Sequence, residues 1–117
     1  MRAARDDRKR PGARRLGILI LSQQSGAALE MVCGLCRAAR AKGVEVQIFL
    51  MGDGVHHLRD PRLCQAAKEG ARVRFCALNA VERGLDLDSS YPWGAEESSQ
   101  YDLACIVEGS DRFLALT

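Results

Sequence analysis

The sequence predicts a layered α/β domain with a mostly parallel sheet, on three observations. Two apolar segments, Leu16 to Leu21 and Val44 to Met51, flank one clear amphipathic helix of the length a parallel crossover needs. A third segment, Ala71 to Leu85, reads as a strand that turns directly into a helix. Strand and helix signals therefore alternate, and repeated βα units stack into such layers.

The elements follow in order. LGILIL, Leu16 to Leu21, is a continuous apolar run, as a central parallel strand buried on both faces requires. Ser25 to Lys42 is the helix: Leu29, Val32, Cys33, Cys36 and Ala39 share one side, Glu30 and Arg37 lie on the other, and Gly43 supplies the stop. Val44 to Met51 is the second strand, ending at a tight turn through Gly52-Asp53-Gly54, and the crossover between the two strands should be right-handed. Asp60-Pro61 opens a second helix, with Asp as N-cap and Pro at the first helical position; it runs to about Glu69 with Leu63, Ala66 and Ala67 inward and Gly70 at its end. Arg72, Val73, Arg74 and Phe75 alternate polar and apolar as a partly buried strand does. Asn79 and Glu82 have capping-box spacing, which starts a third helix that Gly84 ends.

Asp86 to Gln100 is rich in Asp, Ser, Pro and Gly and has no period, so it is expected to be a loop. At fifteen residues it is long enough to serve as a lid or an oligomer contact. Leu103 to Val107 fits either a short helix or a buried strand. Helix is preferred, because Glu108 to Asp111 then turns into a last strand at Arg112 to Thr117.

The chain has 117 residues, one domain by length. Its net charge of +2 hides an asymmetry: residues 1–15 carry seven Lys/Arg against two Asp/Glu, the remainder ten against thirteen. Residues 1–15 are expected to form a basic, disordered arm ahead of a mildly acidic domain at residues 16–117. A solvated tail is the preferred reading of the arm, and nucleic-acid or partner contact is the alternative. The five cysteines, Cys33, Cys36, Cys64, Cys76 and Cys105, are odd in number and lack the spacing of a secreted disulfide scaffold, which points to a reduced cytoplasm. The apolar run after Arg14-Arg15 is six residues, too short for a signal peptide or a membrane span.

In an open parallel sheet, reactive groups gather outside the carboxyl ends of the strands. Two segments meet that condition: Gly52 to Arg59, with Asp53, His56 and His57, and the stretch that holds Cys76 and Asn79. A thiol just ahead of a helix start faces unpaired backbone N–H groups and the positive end of the dipole, which favour thiolate. Cys76 is therefore the candidate nucleophile, with a buried, inert thiol as the alternative. His56 or His57 could tune its protonation, although paired histidines in a polar loop are also simply solvated. Gly52-Asp53-Gly54 matches no phosphate-binding or dinucleotide glycine pattern, and no cofactor is expected. Cys33-Gly-Leu-Cys36 suggests a redox or metal motif, but it lies two turns inside a helix on the apolar stripe, where core packing is the better reading. No second such motif is present to complete a four-ligand zinc site, and no metal is expected.

On three features the chain resembles the DsrE/DsrF/TusD-like sulfur-relay family: FLMGDGV at Phe49 to Val55, VRFCALNAVERGL at Val73 to Leu85, and SDRFLAL at Ser110 to Leu116. The middle one is the most specific, a strand that delivers a cysteine just before an Ala-rich helix ending in Arg-Gly. The resemblance runs from LGILILS to the C-terminus and leaves out the first 15 residues. It implies a three-layer flavodoxin-like or Rossmann-like domain with a sheet of about five strands, commonly assembled as a trimer or hexamer. It also implies a cysteine, here Cys76, that takes sulfur from a donor protein and passes it to an acceptor protein as a persulfide. Family members act in tRNA thiolation or sulfur oxidation, and some branches lack the cysteine. Two other readings stay open: an oligomeric binding or scaffold protein with an inert Cys76, and a redox protein with a Cys33–Cys36 disulfide.

Overall fold

The computed structural model describes residues 12–86 and 94–117. Among them five strands form one sheet: β1 (Arg14–Ile20), β2 (Val44–Leu50), β3 (Arg72–Cys76), β4 (Glu96–Ser98) and β5 (Arg112–Leu116). They lie in the order β4-β3-β2-β1-β5, and every neighbouring pair is parallel. The helices are α1 (Gly26–Ala41), α2 (Pro61–Lys68), α3 (Ala77–Glu82) and α4 (Gln100–Gly109). The α/β class and the parallel sheet of about five strands thus stand as the sequence indicates.

Side chains alternate across the sheet and so build two different layers. Leu16, Ile18 and Ile20 of β1, Val46, Ile48 and Leu50 of β2, and Val73 and Phe75 of β3 face one side. There they pack on Leu29, Val32, Cys36 and Ala39 of α1, Leu63 of α2 and Ala80 of α3. The other side holds Leu19, Phe49, Met51, Cys76 and Phe113 against Leu103 and Ile106 of α4. This second layer has few apolar residues, and buried polar ones, Arg15, Gln47 and Arg74, share its strand positions. The alternation in Arg72 to Phe75 correctly assigns faces, yet it understates burial: Arg74 is 0% exposed.

The helix starts follow the sequence signals. Ser25 accepts the Ala28 N–H at 3.1 Å, and Asp60 accepts the Arg62 N–H at 2.9 Å ahead of Pro61. Four expectations are corrected. β1 begins at Arg14 and takes in Arg14 and Arg15, the last two residues assigned to the arm; Arg15 is fixed there by Glu45 at 3.1 Å, and its main-chain N–H donates to Asp111. Residues 1–11 of that arm lie outside the described residues. Gly52 to Arg59 is a 3₁₀ helix of eight residues rather than a tight turn and loop, with Val55, His57 and Leu58 buried. The expected loop at Asp86 to Gln100 contains β4, which borrows its order from pairing with β3 and from the Arg72–Glu96 ion pair at 2.9 Å. Three residues with two glutamates carry no strand signal of their own. Within that stretch, residues 87–93 lie outside the described residues. The fourth correction concerns the start of α3.

Candidate functional site

Cys76 is the last residue of β3 and the N-cap of α3, with extended backbone (φ −73°, ψ 112°). Strand passes into helix without a spacer. The Cys76 Sγ accepts the Asn79 N–H at 3.5 Å, so sulfur fills the place that an oxygen fills at most helix starts. Asn79 is therefore not the N-cap but the third helical residue. Its side chain is used elsewhere: Oδ1 accepts the Gly52 N–H at 2.8 Å, and Nδ2 donates to Glu82 Oε1 at 3.1 Å. The Asn79/Glu82 spacing that resembles a capping box is a side-chain contact inside the helix.

The two segments expected to share a crevice do adjoin. Asn79 ties Gly52 to α3, and Arg83 Nε donates to Asp53 Oδ1 at 2.6 Å. That hydrogen bond and the guanidinium charge hold the Asp53 carboxyl below its ordinary range. Asp53 is thus engaged in bracing the 3₁₀ segment against α3. The histidines are directed elsewhere. His57 is buried, and its Nε2 accepts the Gln24 N–H at 2.8 Å, which fixes the loop after β1. His56 is half-buried, and neither histidine is hydrogen-bonded to Cys76.

Cys76 itself is 4% exposed. Its neighbours in the second layer are Phe49 and Ile106, with Leu19, Met51, Leu103 and Phe113 packed around them. Sequence reasoning missed two polar groups here, because it missed β4. Ser98 is the register partner of Cys76 and so lies on the same face of the sheet. Its hydroxyl donates to Asp102 Oδ2 at 2.5 Å, and the same carboxylate accepts the Ser99 N–H at 3.3 Å at the start of α4. The Ser99-x-x-Asp102 spacing is a capping signal that could have revealed this helix start. Beside it, Ala77, Glu96, Glu97, Ser98, Ser99 and Asp102 line a shallow cleft of about 550 Å³.

The other cysteines are structural in placement. Cys33 and Cys36 are buried on the apolar stripe of α1, and the Cys33 thiol donates to the Arg62 carbonyl at 3.4 Å. Burial pushes the Cys33 thiol up and the Cys36 thiol to about 11, so both stay protonated at neutral pH. Cys64 lies on α2 and Cys105 on α4. Among the described residues no group of three His, Cys, Asp or Glu side chains is placed to hold a metal ion.

His57 gives the site a pH dependence whose sign can be worked out. Burial lowers its pKa, opposed by the charge of Asp60, so the unfolded chain binds the proton more readily than the folded one. Its contribution to stability is complete above the unfolded value of about 6.5 and is lost as pH falls below it. We expect His57→Gln, which keeps an acceptor for the Gln24 N–H, to lose less stability than wild type between about pH 7.5 and 5.5. Urea titrations at both pH values measure this, and equal losses in the two proteins would contradict it.

A family model described as the DsrE/DsrF-like family matches residues 15–116. The solved structure of the ychN protein from E. coli is similar with a TM-score of 0.70 and 17% identity, over 89% of this chain and 99% of that one. The structure of MTH1491 from Methanobacterium thermoautotrophicum, a protein of unknown function, is similar with a TM-score of 0.71 and 18% identity, over 86% of this chain and 98% of that one. At such identities the likeness is one of fold. No curated protein matches the sequence. No helix among the described residues is long and apolar enough to cross a membrane.

Proposed function

We propose, from the premise that this chain belongs to the DsrE/DsrF-like family, that it is a cytoplasmic sulfur carrier which accepts and relays persulfide sulfur on Cys76. The observation that supports this best is the Sγ of Cys76 accepting a backbone N–H at the start of α3, at the carboxyl end of a central parallel strand. The transfer needs no cofactor. The Cys76 thiolate attacks the outer sulfur of a donor persulfide, the donor's S–S bond breaks, and the donor leaves as a thiolate. Cys76 then carries –S–SH. An acceptor thiolate attacks that outer sulfur, and Cys76 departs as the thiolate it began as, with no net oxidation. Donor and acceptor are proteins, and the carrier works as a homotrimer or hexamer. Asn79 and the Asp53–Arg83 pair hold α3, and hence Cys76, in place.

Incubation with a persulfide donor should add one sulfur to Cys76, read by peptide mass, and none in Cys76→Ser. Labelling spread evenly over all five cysteines would overturn the proposal. The burial of Cys76 among Phe49, Ile106 and Leu103 favours a second reading, a scaffold of the same fold with an inert thiol. The two differ in one measurement: the scaffold reading requires that Cys76 in the folded protein gain no sulfur and resist alkylation at neutral pH.

A further inference from the structure

At the end of the sheet opposite Cys76, where the strands begin, exposed cations gather. Arg14 and Leu16 are alternate residues of β1, and Arg112 of β5 is the register partner of Leu16, so Arg14 and Arg112 share one face of the sheet. Their Cα atoms are about 8 Å apart, two steps along a strand and one across. Both line a cleft of about 520 Å³ whose apolar floor is Leu16, Ala39 and Val44. Lys42, the C-cap of α1, stands two residues ahead of Val44, the register partner of Arg14, so its Cα lies within about 12 Å of that of Arg14.

Arg14, Lys42 and Arg112 are exposed, and among the described residues none of the three has a carboxylate partner. Arg112 Nη1 donates to the Asp111 carbonyl at 2.8 Å, which positions the guanidinium and leaves its charge in place. The carboxylates nearby are engaged by Arg15: Glu45 pairs with its guanidinium at 3.1 Å, and Asp111 accepts its main-chain N–H at 2.8 Å. Glu108 is in the last turn of α4, which packs on the other face of the sheet. Residues 1–11 carry five Lys/Arg against two Asp, and Arg10 is four residues from Arg14, hence no more than about 14 Å away in any conformation. With Arg14, Arg15, Lys42, Glu45, Asp111 and Arg112 they make nine Lys/Arg against four Asp/Glu, while the remainder of the chain holds eight against eleven. The positive charge of this chain is thus concentrated at one pole, and such a pole attracts polyanions.

We propose that this end of the sheet binds the phosphate backbone of a nucleic acid, with Arg14 and Arg112 on the phosphates. Among the described residues the cleft has no aromatic side chain to stack a base, so the contacts are to phosphate and carry no sequence information. A lipid bilayer is a poorer partner, since residues 1–11 hold no Leu, Ile, Val, Phe or Trp to enter it. The surface is independent of Cys76, which sits at the other end of the strands.

Fluorescence anisotropy of the full chain with a labelled RNA hairpin and a labelled DNA hairpin tests this. Binding should be saturable and fall about 10²-fold between about 50 and 200 mM salt, a logarithmic slope of about −4. The tighter hairpin identifies the nucleic acid, and changing its base sequence should leave the affinity unchanged. Arg14→Gln combined with Arg112→Gln should weaken binding by more than about tenfold and flatten the slope by about two. Arg37→Gln combined with Arg59→Gln removes the same charge from exposed positions elsewhere and should leave the slope as in wild type. Absence of binding at the lowest salt, equal slopes for wild type and the Arg14/Arg112 variant, or equal flattening by both pairs overturns the proposal. So does a dependence on base sequence, or phosphatidylserine vesicles that outcompete both hairpins.

Discussion

Phe75→Ala is expected to cost the domain about 3–5 kcal/mol, the usual loss when a fully buried phenylalanine is truncated. Phe75 is 0% exposed and faces the larger of the two layers, in register with Leu50 on β2 and Glu97 on β4. It belongs to the apolar cluster of that layer, and β3 packs against α2 and α3, so its ring is held by fixed elements on that face. Small domains are stable by only about 5–15 kcal/mol, so the loss is a large share of the total. The denaturant midpoint should fall while the slope of the transition stays the same, because the surface exposed on unfolding hardly changes. A loss below about 1 kcal/mol would mean that β3 is not anchored as described and that Cys76, its next residue, is not held by the core.

How far the sequence foretells this fold depends on where the ordering forces lie. β1, β2, α1 and α2 are legible because each carries its own signal: an apolar run, a helical stripe, a Ser or Asp cap. β4 is not, because Glu96, Glu97 and Ser98 become a strand only by pairing with a neighbour more than twenty residues away in sequence. Tertiary pairing overrides a weak local preference. The same holds for the 3₁₀ segment at Gly52–Arg59, whose order comes from burying Val55 and Leu58 and from the Asn79 side chain.

The site was legible in its centre and obscure at its edges. Cys76 at the end of a strand and before a helix can be read from residue types alone. What its neighbours do cannot, since hydrogen-bond partners distant in sequence leave no pattern. Asn79 has the spacing of a cap, yet the strand runs straight into the helix and Cys76 takes the cap, which frees Asn79 to bind Gly52. His57 looks like a partner for the thiol but is turned to Gln24. Ser98 and Asp102 enter only through β4.

Gly54→Ala is expected to act on the site as well as on stability. Gly54 is buried in the 3₁₀ segment, and a Cβ there would run into the carbonyl oxygen of Ile20 at the end of β1. Its φ lies outside the left-handed region, so the cost is one of space, not of backbone conformation. Backbone atoms cannot rotate away as a side chain does. The segment itself must therefore move, at a cost of about 3 kcal/mol, the upper part of the range for overpacking. That movement strains the two contacts that brace α3, Gly52 with Asn79 and Asp53 with Arg83. If opening of the Cys76 end is local, Cys76 should alkylate faster in the variant by more than Cys33 does, since Cys33 is 2% exposed and bonded to the Arg62 carbonyl, and α1 must part from α2 to release it. If Cys76 is freed only by global unfolding, both cysteines should speed up together, about tenfold for each 1.4 kcal/mol lost. Peptide mass mapping of the alkylated chain separates these outcomes. Unequal acceleration in favour of Cys76 would show that this end opens on its own, which is what a donor needs to reach a sulfur that is buried in the closed form.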